Sequence, residues 1–293
     1  MSATTERAAW RQVTARVRRH EDHGPGHRWL DLEMPAGFET PVPGQFVQLL
    51  LEPPSPVLLP RPMSVAGVRR ERGRVIVGFL YAPVGAGTRV LAALPVGAAI
   101  EALGPLGRGY PLDVPGVPLL LAGGRGVAPL LFAADQLAAR GRRCEFLFGA
   151  RGRGQLIGLA EARARLAQMK GRLHLCTDDG SRGFHGNVVQ LLERRAAALE
   201  GPFVIHACGP HAMLGAVARW ALAHRTPAFL AMESQMACGT GVCRGCPLPR
   251  SESARRAFDP DATPSLFGNR EFAMCCTEGP VFEAHALDWD RVE

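Results

Sequence analysis

Short apolar runs broken by proline and glycine fill the first third of the chain, the pattern of an antiparallel barrel or sandwich. It predicts strands over Gln12–Arg18, Arg28–Met34, Gln45–Leu51, Met63–Val68 and Arg74–Tyr81. Pro43-Gly44 marks a turn, and polar and apolar positions alternate behind it from Gln45. The pattern changes at Val117. Pro118–Ala122 is continuously apolar, as a strand buried on both faces should be, and a glycine loop and an amphipathic helix from Leu130 to about Arg140 come next. Strands over Cys144–Gly149, Leu173–Cys176 and Phe203–Ala207 then alternate with helices over Leu159–Met169, Val188–Leu199 (capped by Asn187) and Met213–Ala223. That alternation predicts a parallel sheet with ligands at the strand C-terminal ends. The expected architecture is α+β and multidomain: a β-barrel over 1–112, an α/β domain over 113–230 and a small cysteine-bearing domain over 231–293.

Composition narrows the function. At 293 residues there is room for two or three cores, and 47% hydrophobic with 21% charged residues is globular, without an apolar run able to span a bilayer. A net charge of +7 would admit nucleic acid, but the arginines are dispersed and no basic tract is interleaved with aromatics. The charge reads as a solvated surface that favours anionic cofactors, so neither nucleic acid nor membrane is an expected partner. Met1–Arg7 is polar and lacks a signal peptide's apolar stretch, which predicts a cytoplasmic protein. In that reducing compartment eight cysteines are ligands or buried thiols rather than disulfides.

Four of them carry the strongest chemical signal. Cys238, Cys243, Cys246 and the distant Cys276 fit C-x4-C-x2-C…C, the spacing of plant-type [2Fe–2S] centres. Gly239, Gly241 and Gly245 let the backbone wrap tightly and aim N–H groups inward. Zinc is the rival, although its ligands usually come in two close pairs, and buried idle thiols are the third reading. Cys275 stands beside Cys276 as a substitute fourth ligand.

Upstream lie further candidates. In Arg61-Pro62-Met63-Ser64 a guanidinium and a hydroxyl suit a phosphate, although Arg-Pro also simply starts strands. Leu80-Tyr81-Ala82 runs into Gly87-Thr88, either an anion site at a helix start or an ordinary capped turn. Gly123, Gly124 and Gly126 sit between strand and helix, the context of a pyrophosphate loop. Asp178, in Thr177-Asp178-Asp179-Gly180-Ser181, and Cys208-Gly209-Pro210 end the next strands; alone, the first is a turn and Cys208 a small buried residue. Arg151 and Arg153 would suit a 2′-phosphate or only solvent, which leaves NAD against NADP open.

In this order the motifs resemble the ferredoxin reductase family. They are most similar to the electron-transfer subunits of type B, NAD-dependent dihydroorotate dehydrogenases, with a final Cys276-x-x-Gly279-Pro280-Val281-Phe282 and a likeness over almost the whole chain. The resemblance implies that Arg61–Ser64, Leu80–Ala82, Gly87 and Thr88 hold FAD. The three glycines, Asp178, Gly209 and Pro210 would hold NAD(H), Cys208 would stand by the nicotinamide, and Cys238, Cys243, Cys246 and Cys276 would bind a [2Fe–2S] cluster. It further implies an FMN-containing dihydroorotate dehydrogenase catalytic subunit as partner, in a heterotetramer of pyrimidine biosynthesis. Nicotinamide exchanges hydride and the cluster single electrons, so the flavin, which does both, belongs between them. Relatives serving a hydrogenase, a sulfite reductase or a ferredoxin–NADP transhydrogenase share these modules, and a zinc-stabilised scaffold is the reading of another class. Two departures stand out: Arg125 within the glycine loop, and a polar stretch, Arg250–Asn269 with Pro260 and Pro264, between the third and fourth cysteines. The stretch reads as a surface excursion.

Overall fold

A computed structural model describes residues 10–51, 57–259 and 268–292. The opening residues read as polar, and Pro260 and Pro264, lie outside them.

Six antiparallel strands form a closed barrel: β1 (Arg11–Asp22), β2 (Arg28–Met34), β3 (Phe46–Leu50), β4 (Arg61–Glu71), β5 (Arg74–Tyr81) and β6 (Ala99–Leu106). Their order is β1-β2-β5-β4-β3-β6, and β6 returns to β1 with Arg11 opposite Gly104. Alternation puts Val47, Leu49, Val65, Val77 and Phe79 into a core without solvent access. β6 escaped the sequence pattern because Ala-, Gly- and Pro-rich sequence is a poor strand signal. It is a strand because β1 and β3 pair with it on both edges. The short helix α1 (Ala86–Ala92) comes after β5.

Arg142 fastens the segment leaving the barrel to the α/β unit, donating to the carbonyls of Leu112, Val114 (2.9 Å) and Gly116 (2.6 Å). This unit comprises β7 (Val117–Gly123), α2 (Val127–Ala139), β8 (Glu145–Ala150), α3 (Leu159–Met169), β9 (Arg172–Thr177), β10 (Phe184–His185), α4 (Val188–Ala196), β11 (Phe203–Cys208), α5 (His211–Ala223) and β12 (Ala228–Ala231). α2 begins three residues before the predicted Leu130, since Pro129 is tolerated in a first turn, where its missing N–H has no partner to lose. Asn187 caps α4 as expected, its Oδ1 accepting the N–H groups of Val189 and Gln190 at 3.0 Å.

The last segment holds β13 (Pro247–Pro249), α6 (Glu252–Arg256), β14 (Phe272–Met274) and β15 (Val281–Glu283). β15 pairs antiparallel with β12 and completes a seven-stranded sheet ordered β10-β9-β8-β7-β11-β12-β15. The order reverses between β7 and β11, the point at which such sheets open a crevice beyond their strand ends. Residues from all three predicted domains meet in one apolar cluster: Phe46 and Leu106 from the barrel's outer face, Ile205 and Leu230 from the sheet, and Leu248, Met274 and Trp289 from the C-terminal segment.

Candidate redox site

The C-terminal ends of β7 and β11 are adjacent, and the glycine loop meets the turn after Cys208 there. The two backbones approach so closely that side chains are excluded. A Cβ on Gly126 would come within 2.6 Å of the Gly209 nitrogen, and one on Gly123 within 2.9 Å of Pro210 Cδ. Gly124 instead takes a left-handed φ of 52° in open space. A 3₁₀ turn over Gly124–Gly126 leads straight into α2, which brings the positive end of that helix to the same place. The result is a cavity of about 530 Å³ bordered by Gly123, Gly124, Gly126, Asp178, Gly209 and Pro210. All six residues predicted for the dinucleotide thus surround one space.

Other predicted groups fall differently. Arg125 and Arg151 border the cavity; Arg153 does not. Cys208 is not among the lining residues either: it is buried, and burial pushes its thiol far up and keeps it protonated. The Asp178 turn is braced by the segment after β8, since the Asp179 N–H donates to the Arg151 carbonyl (3.1 Å) and the Arg153 N–H to Ser181 Oγ (2.8 Å). His27, Gln155, Met213 and Glu233 also line the space and were not foreseen. His27 lies in a barrel turn, far away in sequence, and no local pattern announces it.

On the barrel, Arg61–Ser64 opens β4 and alternation divides it. Met63 enters the barrel core while Ser64 is exposed. Arg61 lies against Gly87, where a Cβ would meet its Cδ at 3.1 Å, and its guanidinium donates to the carbonyls of Pro60 (3.0 Å) and Leu59 (3.1 Å). Two segments distant in sequence are therefore one surface. Leu80, Tyr81 and Ala82 are buried, and the Tyr81 hydroxyl pairs with His20 Nε2 at 2.8 Å, which commits its ring to the barrel interior. The Thr88 hydroxyl accepts the Gly85 N–H at 2.9 Å and closes the first turn of α1.

The cysteine loop lies on the outer face of β3. Gln48, on that strand, is wholly buried, and its Nε2 donates to the Ala237 carbonyl at 3.4 Å, while a Cβ on Gly239 would meet its Cγ at 2.8 Å. Left-handed turns at Gly239 (φ 75°) and Gly241 (φ 93°) aim the N–H groups of Thr240 and Cys243 at Cys238 Sγ, at 3.4 and 3.5 Å. The Gly245 N–H points at Cys243 Sγ (3.4 Å). Cys246 Sγ lies 3.3 Å from Cys276 Sγ and accepts the Cys276 N–H at 3.5 Å. Cys275 turns away: its thiol faces the Met232 carbonyl at 3.8 Å within the apolar core. Cys246 and Cys276 thus stand thiol to thiol, while Cys238 receives the backbone N–H groups of Thr240 and Cys243; among the described residues no group of three or more His, Cys, Asp or Glu side chains is already placed to hold a metal ion.

Electrostatics favour thiolates in this loop. Burial opposes ionisation of Cys238, but the donors from Cys243 and Thr240 outweigh it and bring the thiol down to about 6. Cys246 falls to about 7, chiefly because Cys276 donates to it, and Cys276 is pushed up as that donor.

Comparison with known proteins points the same way. Residues 120–219 match the oxidoreductase NAD-binding domain. A curated protein of Desulforamulus reducens, the electron transfer subunit of dihydroorotate dehydrogenase B (NAD(+)), is 30% identical over 267 residues, 91% of this chain and 94% of that one. The chain belongs to this family of electron transfer subunits. The family's member from Geobacillus thermodenitrificans is 34% identical over 247 residues, covering 83% of this chain and 85% of its own. Among solved structures, an NADH-dependent reduced ferredoxin–NADP oxidoreductase superposes with a TM-score of 0.77 at 24% identity, over 95% of this chain and 91% of that chain. An Amycolatopsis cytochrome P450 reductase gives 0.63 at 26% identity, over 76% and 70%. The barrel and α/β sheet are therefore the ferredoxin-reductase-like pair. No helix among the described residues is long and apolar enough to cross a membrane.

Proposed function

We propose that this chain exchanges electrons between NAD(H) and the FMN-containing catalytic subunit of an NAD-linked dihydroorotate dehydrogenase, in cytoplasmic pyrimidine biosynthesis. FAD, bound on the barrel, and a [2Fe–2S] cluster, bound in the C-terminal segment, are its carriers, and the assembly is a heterotetramer. Beyond family membership, one observation carries the reading. Gln48 is the strand neighbour of Pro62 and also touches Ala237, so the cysteine loop rests on the barrel face that begins with Arg61–Ser64.

The residues fit the groups assigned to them. Arg61, packed with Val57 against Gly87, brings a guanidinium to the start of α1 where flavin phosphates would lie, with Pro62, Met63 and Ser64 along the strand and the Leu80–Ala82 backbone beside it. Gly124, Gly126 and the positive end of α2 would hold a pyrophosphate, Asp178 would accept from ribose hydroxyls, and Gly209-Pro210 forms the wall across from the loop. Cys208 sits behind that wall as a protonated thiol, which suits a neutral neighbour of a nicotinamide. A two-iron centre would be held by the thiolates of Cys238, Cys243, Cys246 and Cys276, of which Cys246 and Cys276 stand 3.3 Å apart and Cys238 already receives the Cys243 N–H at 3.5 Å. When bound, the flavin exchanges electron pairs with nicotinamide and single electrons with an iron–sulfur centre.

The test is the absorption spectrum of anaerobically purified protein before and after NADH. Flavin bands over a broad iron–sulfur absorption, both bleached by NADH, are expected. Colourless protein carrying one zinc per chain would overturn the proposal.

A further inference from the structure

The polar stretch between the third and fourth cysteines has ends that meet at one buried carboxylate. Glu278 lies two residues beyond Cys276 and is 8% exposed. Its Oε1 accepts the Met274 N–H at 3.0 Å, while its own N–H donates to the Met274 carbonyl at 2.9 Å. Both bonds close the turn 274–278, which presents Cys276 to Cys246. Arg250, where the stretch begins, forms an ion pair with Glu278 Oε2. It also donates through Nε to the carbonyl of Asn269, where the stretch ends, at 2.8 Å, and its guanidinium lies 5.1 Å from the centre of the Phe258 ring. Backbone completes the anchor, with the Arg250 N–H donating to the Glu271 carbonyl at 2.9 Å. Gly268 packs so close that any side chain there would run into the Glu278 carboxylate.

We infer that Arg250 and Glu278 are positioning residues for the cluster: they clamp the base of the excursion onto the turn that carries Cys276. The reason is physical. Neither residue reaches a cysteine sulfur, yet the turn's shape depends on a carboxylate whose charge is answered by Arg250 in a nearly dry site. Removing one partner takes away the opposite charge that the other faces in this nearly dry site and unties the Arg250 end of the stretch from the turn, which loosens the turn. Groups that orient ligands without touching the metal typically change its retention by about 10- to 100-fold when substituted.

The inference rests on the assignment of Cys276 as a ligand, and the experiment separates the two. Full-length protein is purified anaerobically as wild type, Arg250→Met, Arg250→Lys and Glu278→Gln. Iron release from the reduced protein to a chromogenic ferrous chelator is timed, and the electron paramagnetic resonance spectrum is recorded beside FAD content and flavin reduction by NADH. Arg250→Met and Glu278→Gln should each release iron about 10- to 100-fold faster, with an altered resonance line shape and unchanged FAD content and NADH reduction. Arg250→Lys, which keeps the charge but not the two-directional fork, should fall between. Glu278→Gln still accepts the Met274 N–H and decides the question if Arg250→Met does not fold. Iron release and line shape equal to wild type in Glu278→Gln would overturn the clamp, whereas wild-type protein without iron would overturn the ligand assignment beneath it.

Discussion

Replacing Gly126 by alanine tests the dinucleotide cavity most directly. The added Cβ would lie 2.6 Å from the Gly209 nitrogen and closer still to the Cys208 carbonyl, whereas ordinary Cβ contacts lie at 3.4–4 Å. Both obstacles are backbone, so no side chain can swing aside. The glycine loop and the Cys208–Pro210 turn must separate by about 1 Å, at a cost of about 1–3 kcal/mol for forced overpacking. Against a typical stability of about 5–15 kcal/mol the protein still folds. A displacement of about 1 Å in a positioning element, however, can lower a reaction rate about 100-fold. Stopped-flow bleaching of the flavin by NADH should therefore slow by about two orders of magnitude, while FAD content stays at the wild-type level. Gly124→Ala is the control. It meets nothing within 4 Å and pays only for its left-handed φ of 52°, about 1–2 kcal/mol, so the loop keeps its place. Wild-type bleaching in Gly126→Ala, or an equal loss in both variants, would refute the argument from close backbone approach.

Buried groups have further consequences. His206 is wholly buried between Tyr110 and Phe229, with Nε2 3.1 Å from the Pro111 carbonyl, and burial brings it down from 6.5 to about 4. Its folded form stays neutral where the unfolded chain takes up a proton, so its contribution is complete above pH 6.5 and is lost as pH falls toward 4, by about 3 kcal/mol in all. Chemical denaturation across that window should show the stability difference between wild type and His206→Gln shrinking as pH falls; a constant difference would refute the assignment. Cys276→Ser should lose iron on purification while retaining FAD. Cys275→Ser should keep its iron and lose about 1–3 kcal/mol of stability by placing a hydroxyl in the apolar core. Iron content and melting temperature distinguish the two, and the reverse pattern would exchange their roles.

The cysteine spacing, the glycine loop and the run of strand-end motifs were legible because each is local. A left-handed turn at Gly239 or Gly241, an apolar run into Gly123 and the cap at Asn187 depend on a few neighbouring residues and on backbone freedom that the residue type declares. Strands β2 and β5 were foreseen with their observed limits for the same reason, since polar and apolar residues alternate along β2 and a run rich in β-branched and aromatic residues marks β5. The contributions of tertiary structure lie between segments. β6 is a strand only because two others pair with it, and β15 joins a sheet whose preceding strand, β12, lies 50 residues upstream in a different predicted domain. Tyr81 turned inward to His20 rather than outward, because alternation had already assigned its face to the barrel core. Gln48 meets Ala237 across 189 positions, and Arg250 reaches Glu278 across the whole excursion. Such pairings leave no periodicity along the chain, because their energy comes from burial and contact that exist only once distant segments have packed together.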